Sequence, residues 1–337
     1  MEEAPARALR LTIVIEWANT RLHGQARALR LLDAIGRQWR QIVAREHPAE
    51  LPEAAGQFLD GLDPRLDLLL VSAEPFPPAL ADDLRRRVPA EVDLALRVAE
   101  GLEYYPLKNF GASLATGDVL LFVDSDVLPE AGWLAHLLGS FARPEIHAVS
   151  GQTYIAPVDL TSRAYALGWT YALRDAGGGL VTPRKFYGNN LAFRADLFRK
   201  VPFRPLGLRS RGACSLLRED LAQLGLAVWE NRAAGVDHPP PSGLGHMLVR
   251  ALAHGRDQYL TPTGGRSASG LGRSLGIAAA RLAIGFERTR CDWRRVGLRR
   301  YQVPAALAII AGYYGAFALG GLLTHVSPRR MGRRFRV

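Results

Sequence analysis

Short apolar runs alternate with stretches of helical spacing over the first 150 residues. Residues 11–15, 66–72, 91–98 and 119–123 are rich in Leu, Ile and Val, as expected for buried strands. After the first run, Ala28, Leu31, Leu32, Ile35 and Trp39 recur at helical spacing in a stretch that ends near Val43. This alternation predicts an α/β fold with a mostly parallel sheet flanked by helices, and such sheets bind ligands beyond the carboxyl ends of their strands.

The second half of the chain has a less regular pattern. Gly, Pro and aromatic residues are interleaved up to the three prolines at 239–241, and residues 243–272 are rich in Gly, Ser and Thr, which is typical of a connector. Residues 274–287 carry a modest apolar face that suits either a helix packed on the domain or an interfacial helix. We therefore predict a domain over 1–242 and a connector with an interfacial helix over 243–302.

Residues 303–326 form a 24-residue stretch without Asp, Glu, Lys or Arg. At 1.5 Å per residue this length suits a hydrocarbon core of about 30 Å, and a buried core helix is seldom so apolar on all sides. Two arrangements stay open, a single span and a segment that re-enters near Gly312–Gly315. The single span is favoured, because each half of a re-entrant hairpin would have only about 10 residues. Residues 327–337 are then a basic tail.

The net charge of +11 is concentrated at the C-terminal end of the chain. From Arg281 onward there are 12 arginines against two acidic residues, so the remainder is close to neutral. A basic tail beside a membrane-length segment, with no base-reading motif, argues against nucleic acid and for anionic lipid. With an acidic N-terminus and only two cysteines, we predict no export, no disulfide framework and a location on the cytoplasmic face of the cell membrane.

Two carboxylates, Asp124 and Asp126, follow directly on the fourth apolar run. On an extended strand the side chains at i and i+2 point to the same side, so both can approach one hard cation at the ligand-binding edge of the sheet. Mg²⁺ or Mn²⁺ held there can bridge diphosphate oxygens. The sequence therefore predicts a divalent-cation site at this edge.

The residues around this pair resemble a known family. Lys108-Asn109-Phe-Gly111-Ala-Ser-Leu-Ala115-Thr-Gly117-Asp118 is similar to the segment that precedes the Asp-x-Asp strand in family 2 glycosyltransferases with a GT-A type fold, and Pro129-Glu130 and Trp133-Leu134 match its continuation. The resemblance runs from about residue 11 to 238. It implies a glycosyltransferase that uses a nucleotide sugar, by inversion.

The resemblance also implies donor-binding positions. Lys108 or Asn109 would lie on the donor side, and Asp124 and Asp126 would contact ribose, metal and diphosphate. The first strand of the family usually ends in Pro-Thr-Tyr-Asn, whereas here it ends in Glu16-Trp-Ala-Asn19, so Glu16 and Asn19 would meet base and ribose. Glu74 takes the place of an aspartate that contacts the base. From the resemblance to the family, we expect a UDP-linked donor.

Further positions match the acceptor side and the metal. Asn190 and Arg194 correspond to part of the family's acceptor wall, with a simple Gly-Asn turn as the alternative. His238 matches a metal-ligand position, although a histidine before three prolines is commonly structural. Arg250 and Arg256 can clamp a leaving diphosphate or be surface charges. A sugar-nucleotide pyrophosphorylase is excluded, because the residues after the first strand lack its Gly- and Arg-rich loop.

One family feature is missing. The Gly-Glu-Asp triplet that supplies the general base is replaced by Gly212-Ala213-Cys214. A hydroxyl acceptor would lack its proton acceptor, whereas an ionised phosphate needs none and favours cations such as Arg209 and Arg211. A lipid phosphate is therefore one acceptor hypothesis, beside a saccharide acceptor served by a base from elsewhere. A homologue that binds nucleotide sugar or membrane without catalysis is the third reading.

Overall fold

The computed structural model describes residues 8–175, 177, 179–182, 185–261 and 270–334. The chain forms two compact units. The first unit comprises the chain up to Thr153, Arg174–Arg204 and Cys214–Asp237, and the second comprises Tyr154–Leu173, Pro205–Ala213 and the chain from His238 onward. The single domain predicted over 1–242 therefore contributes three segments to the second unit, namely residues 154–173, 205–213 and 238–242.

Nine strands form one sheet in the described part of the chain. They are β1 (Leu9–Glu16), β2 (Leu62–Ser72), β3 (Val92–Val98), β4 (Val119–Asp124), β5 (Leu128–Pro129), β6 (Ala148–Tyr154), β7 (Leu180–Val181), β8 (Asn190–Arg194) and β9 (Trp229–Asp237). The four strands predicted from apolar runs are β1 to β4.

The helices flank the sheet in the first unit and make up most of the second. They are α1 (Thr20–His23), α2 (Gln25–Val43), α3 (Glu53–Asp60), α4 (Pro78–Arg87), α5 (Tyr104–Leu114), α6 (Trp133–Gly139), α7 (Leu160–Gly168), α8 (Ala195–Lys200), α9 (Ala213–Gln223), α10 (Gly243–Leu260), α11 (Gly270–Asp292), α12 (Val303–Val326) and α13 (Pro328–Arg334). Two short 3₁₀ turns cover Ser140–Ala142 and Arg300–Gln302.

The sheet has the order β3-β2-β1-β4-β8-β6-β9-β5, with β7 paired to β9. The first four strands are parallel, as predicted, since α2, α4 and α5 provide the crossovers. β8 is antiparallel to β4 and to β6, and β9 is antiparallel to β5 and β7. The predicted parallel arrangement therefore holds for β3-β2-β1-β4, and the strands that follow β4 in the sheet add antiparallel pairs, so the sheet as a whole is mixed.

The hydrophobic core of the first unit lies against both faces of the sheet. On one face, Ile13 and Ile15 of β1 belong to a buried cluster with the apolar side of α2, including Leu31 and Trp39. On the other face, a Cβ at Gly111 of α5 would overlap the side chain of Val14, so the absence of a side chain lets this helix approach the strand closely. The position of α5 matters for the site described below.

The segment predicted to be a connector is mostly helical. α10 runs for 18 residues and packs in the second unit against α12. A Cβ atom on Gly255 would overlap the carbonyl group of Phe317, and a Cβ atom on Gly320 would overlap the carbonyl group of Leu252. These glycines therefore allow α10 and α12 to cross closely, which the amino-acid composition of the segment does not reveal. Residues 262–269 of the predicted connector lie outside the described residues.

The long apolar segment is one uninterrupted helix. α12 has the bounds predicted from the sequence and continues through Gly312 and Gly315, which does not fit a re-entrant hairpin with a turn at that point. Together with the preceding turn it is long and apolar enough to cross a membrane, by length and composition alone, while 39% of its most apolar window is buried inside the protein.

Candidate active site

The ends of β1 and β4 bring two acidic residues together at one edge of the sheet. Glu16 and Asp124 are paired in register as the last residues of two adjacent parallel strands. Both are buried, as are Ser125 and Asp126, which follow immediately. The carboxyl edge of the sheet therefore carries three buried carboxyl groups within a short distance along the chain and across the strands.

Asp124 is surrounded by donors from two helical segments. The Nζ atom of Lys108 lies 2.7 Å from its Oδ1 atom, and the hydroxyl group of Tyr104 lies 2.8 and 2.7 Å from Oδ1 and Oδ2. The side-chain amide of Asn19 donates to Oδ2 at 3.3 Å. Lys108 is fully buried, so its ammonium group and this carboxylate form an ion pair shielded from water.

Tyr104 was not predicted as part of the site. It stands four residues before Lys108 on α5, a spacing that places both side chains on the same face of the helix, so the sequence carried a signal. Burial, and next the charge of Asp124, raises the pKa of the Tyr104 hydroxyl group well above its usual value. The phenol therefore acts as a hydrogen-bond donor to the carboxylate.

Asp126 faces a different side chain. Its Oδ2 atom lies 3.5 Å from the Nε2 atom of His23, at the end of α1, and both side chains are nearly inaccessible to solvent. The backbone carbonyl of Asp126 accepts a hydrogen bond from Arg27, which also pairs with Asp237 at 2.7 Å. His23 was also missed, because its approach to Asp126 depends on the pairing of β1 with β4.

The carboxyl group of Glu16 has a raised pKa. Burial, followed by the charge of Asp124, raises its pKa to about 8, although Lys108 opposes the shift. One carboxyl oxygen accepts a hydrogen bond from the amide of Ala18 at 2.5 Å, and the other has no hydrogen-bond partner among the described residues. The raised pKa favours the protonated carboxyl group, which can donate a hydrogen bond.

The donor set at this edge fits a hard divalent cation. Mg²⁺ is commonly bound through one or two carboxylates together with substrate phosphates, rather than by a complete protein cage. Asp126 and the nearby imidazole of His23 offer such a partial set, while both oxygens of Asp124 are engaged by protein donors. Accordingly, no group of three or more His, Cys, Asp or Glu side chains arranged for a metal occurs in the described ranges.

His238 belongs to the second unit, whereas Asp124 and Asp126 belong to the first. Its Nδ1 atom lies 2.7 Å from the carbonyl oxygen of Pro239, and its ring is 5.3 Å from that of Tyr171. These contacts hold the imidazole in place within its own unit. Its role as a metal ligand stays a prediction.

Two residues predicted to contact substrate form hydrogen bonds within the first unit. The side-chain amide of Asn109 bonds both to the backbone oxygen and to the backbone nitrogen of Phe203. Asn190 is fully buried between the indole of Trp133 and the carbonyl of Ala234. These hydrogen bonds link strands and helices, and the contacts of Asn109 and Asn190 with substrate stay predictions.

Arg194 and Glu74 are placed differently again. Arg194 donates to the carbonyl oxygens of Phe141 and Ile146, so this predicted acceptor-wall residue secures a loop. Glu74 is exposed and forms a salt bridge of 2.5 Å with Arg21. Its position after β2 keeps it near the carboxyl edge of the sheet, and its predicted contact with the base stays untested.

The helix that carries the general base in the resembled family is α9. Ala213 is buried at its start, and burial raises the pKa of the Cys214 thiol to about 11. The hydroxyl group of Tyr105 lies 3.4 Å from this sulfur. Asp220 of the same helix pairs with Arg204, and Glu219 is exposed. At neutral pH the thiol stays protonated and cannot accept a proton as a base.

The predicted phosphate ligands lie in the second unit. Arg209 is half-buried, and the Nε atom of Arg211 is buried without a hydrogen-bond partner in the described part of the chain. Arg256 was expected to bind substrate, but its guanidinium group is fully buried and bonds to Asp257 and to the hydroxyl group of Ser210. Its charge is thus already compensated within the protein.

A protein-family model matches the part of the chain that contains Asp124 and Asp126. Residues 101–208 match the model of glycosyl transferase family 2. The match confirms the family resemblance and covers α5, β4 and the Asp124–Asp126 pair. No curated protein matches the chain.

Comparison with a solved structure confirms the fold. The mannosyltransferase PcManGT from Pyrobaculum calidifontis, in complex with GDP-Man and Mn²⁺, is 15% identical with a TM-score of 0.54, over 97% of this chain and 90% of that one. GalNAc-T7 with UDP, GalNAc and Mn²⁺ is 12% identical with a TM-score of 0.49, over 81% of this chain and 51% of that one. The first likeness shows that the fold is of the GT-A type.

Proposed function

We propose that this protein is a metal-assisted glycosyltransferase that moves a sugar from a nucleotide sugar to an acceptor at the cytoplasmic face of the membrane. The observation that carries the proposal is the buried cluster of Glu16, Asp124 and Asp126 at the carboxyl edge of a GT-A type sheet. Open α/β sheets bind their ligands at this edge.

Each residue of the cluster has a role in this proposal. Asp126 and His23 would hold the divalent cation, which when bound would supply positive charge to stabilise the departing diphosphate. Asp124, fixed by Lys108 and Tyr104, orients the ribose, and a protonated Glu16 donates a hydrogen bond to the nucleoside. Mn²⁺ in the complex of the similar mannosyltransferase supports the choice of cation, and the nucleotide sugar in that complex is GDP-linked.

The class of acceptor is inferred from the protonation state of Cys214 on α9. Transfer to a hydroxyl group needs a base, and the thiol of Cys214, with a pKa of about 11, is not one at neutral pH. A phosphate oxygen is already ionised and can attack the anomeric carbon directly while the nucleoside diphosphate leaves from the opposite face. A lipid phosphate as acceptor, with inversion, is therefore favoured over a saccharide hydroxyl.

Membrane association is supported by the surface of α12. Its exposed positions include Pro304, Ala308, Gly312, Leu319 and Leu323, an almost wholly apolar strip that runs the length of the helix. Its other side packs on α7, α10 and α11.

Those helices carry Arg250, Arg256 and Arg281, and a bilayer crossed by α12 would enclose these charges as well. We therefore favour a helix that lies in the interface with its apolar strip toward lipid over the single span expected from the sequence.

A donor screen tests the proposal. Isothermal titration with a panel of nucleotide sugars, with and without Mn²⁺, should give binding that requires the metal. Asp126→Asn should abolish the metal dependence, and Asp82→Asn, at an exposed aspartate of α4, is the matched control. Binding of no nucleotide sugar by folded protein would remove the hypothesis. Metal-dependent binding without transfer to any acceptor would instead support a non-catalytic homologue.

A further inference from the structure

The turn that carries Asp126 is fixed to the start of α2 by an arginine. Asp126 is the middle one of the three residues that join β4 to β5, and its backbone carbonyl group accepts a hydrogen bond from the Nε atom of Arg27. The Nη2 atom of Arg27 donates to the carboxylate of Asp237 at 2.7 Å and to its backbone oxygen at 2.8 Å. Asp237 is the last residue of β9, so one guanidinium group connects α2, the turn after β4 and the end of β9, all within the first unit.

The segment from His23 to Arg27 contacts Asp126 at both of its polar ends. The Nε2 atom of His23 lies 3.5 Å from the Oδ2 atom of Asp126, whereas Arg27 bonds to the carbonyl group of the same residue. Gly24 joins α1 to α2 with φ of 79° and ψ of 158°, a conformation that is essentially restricted to glycine. A Cβ atom there would lie in open space, so this glycine is explained by its backbone angles. Its angles set the relation between the imidazole and the guanidinium group.

The positive charge of Arg27 is compensated by Asp237. The two side chains are 19% and 21% exposed and are bonded at 2.7 Å. A guanidinium group presents its donors in one rigid plane, so it holds an oxygen of Asp126 and an oxygen of Asp237 in a fixed relation. Because its charge is balanced, Arg27 can secure the Asp126 carbonyl group without adding net positive charge next to a carboxylate that would bind a cation.

We propose that Arg27 is a positioning residue for the divalent cation. It fixes the direction of the Asp126 carboxylate relative to the imidazole of His23 and does not touch the ion itself. Residues that orient a metal ligand through hydrogen bonds typically change metal affinity by about 10- to 100-fold when they are replaced. The inference rests on the proposed function, since it takes Asp126 and His23 as the metal ligands.

Binding of Mn²⁺ alone to the full chain tests the inference without nucleotide and without turnover. Electron paramagnetic resonance of the free ion measures the affinity. Arg27→Met keeps the apolar stem and removes the donors, and it should weaken the affinity about tenfold. Loss of a positive charge by itself would strengthen the binding of a cation, so the direction of the change separates positioning from electrostatics. Arg27→Lys keeps the charge but not the planar fork, and it should weaken binding as well.

Arg30→Met is the matched control. Arg30 lies on the next turn of α2, is exposed and has no ion-pair or hydrogen-bond partner in the described part of the chain. Its replacement makes the same change of side chain in the same helix. Its affinity for Mn²⁺ should stay within about twofold of the wild type at about 0.15 M salt, because an exposed charge is screened. Urea unfolding without metal shows that each variant is folded under the conditions of the titration.

The outcomes separate three roles for Arg27. Weaker binding in Arg27→Met and Arg27→Lys, with the control unchanged, supports positioning. Tighter binding in Arg27→Met would show that only the charge acts, and it overturns the inference. Wild-type affinity in both Arg27 variants together with a lower free energy of unfolding would show a purely structural link, which overturns the inference while the metal site stands. A wild type that binds no Mn²⁺ overturns the metal part of the proposed function and the positioning role with it.

Discussion

The ion pair between Lys108 and Asp124 offers a quantitative test of how the candidate site is built. The two charged atoms are 2.7 Å apart, and the side chains are 0% and 4% exposed. Breaking such a buried pair by removing one partner destabilises a protein by about 3–5 kcal/mol, because the other charge stays buried without compensation. Lys108→Met keeps the side-chain volume and removes the charge.

The surroundings of Asp124 place the expected effect at the low end of this range. Its carboxylate keeps the hydrogen bonds from Tyr104 and Asn19, and such bonds to charged groups contribute about 1.5–3 kcal/mol each. We therefore expect Lys108→Met to lower the free energy of unfolding by about 3 kcal/mol. Asp124→Asn should have a similar effect, because it leaves a buried ammonium group.

The double variant separates the pair from its surroundings. With both charges removed, the loss should be smaller than the sum of the two single losses by about 2 kcal/mol or more. Urea unfolding followed by circular dichroism measures each value, and the slope of the transition should not change. The Arg85 and Asp82 pair of α4 serves as the control cycle, since both side chains are 62% exposed and their coupling should be close to zero. If the coupling of Lys108 with Asp124 is as small as that of the control, the buried pair does not organise the site.

Three further predictions address metal, membrane and acceptor. Asp126→Asn should lose metal-dependent donor binding while its free energy of unfolding stays close to that of the wild type, whereas Asp124→Asn should lose both donor binding and stability. Calorimetry with Mn²⁺ measures the binding, and urea unfolding measures the stability. A destabilised Asp126→Asn would contradict the assignment. In a Cys291→Ser background, a cysteine added after Arg336 should be protected from an impermeant reagent in intact cells if α12 lies in the interface, and labelling would indicate a span. In an assay with radiolabelled nucleotide sugar, the wild type should transfer the sugar to lipid phosphate, and Cys214→Asp should gain transfer of the sugar to hydroxyl acceptors. Product formed by the wild type on hydroxyl acceptors alone would refute the acceptor proposal.

Elements with strong local signals could be predicted from the amino-acid sequence. Runs of Leu, Ile and Val predicted β1 to β4, and the position of Asp124 and Asp126 after the fourth run predicted their place at the carboxyl edge of the sheet. The bounds of α12 also follow from its sequence, because a long stretch without charges ends where polar residues begin. Such features depend on neighbouring residues and on burial, so the chain reveals them without knowledge of its tertiary contacts.

The partners of polar side chains were decided by the tertiary structure alone. Asn109 bonds to a backbone 94 residues away, and Asn190 bonds to an indole 57 residues away, so a family-based role in binding could not be distinguished from a structural one. In the same way, only the packing of the second unit shows that the buried hydroxyl group of Tyr165 has no hydrogen-bond partner among the described residues. Hydrogen bonds and buried charges depend on which distant segments meet, and no periodicity in the sequence encodes that choice.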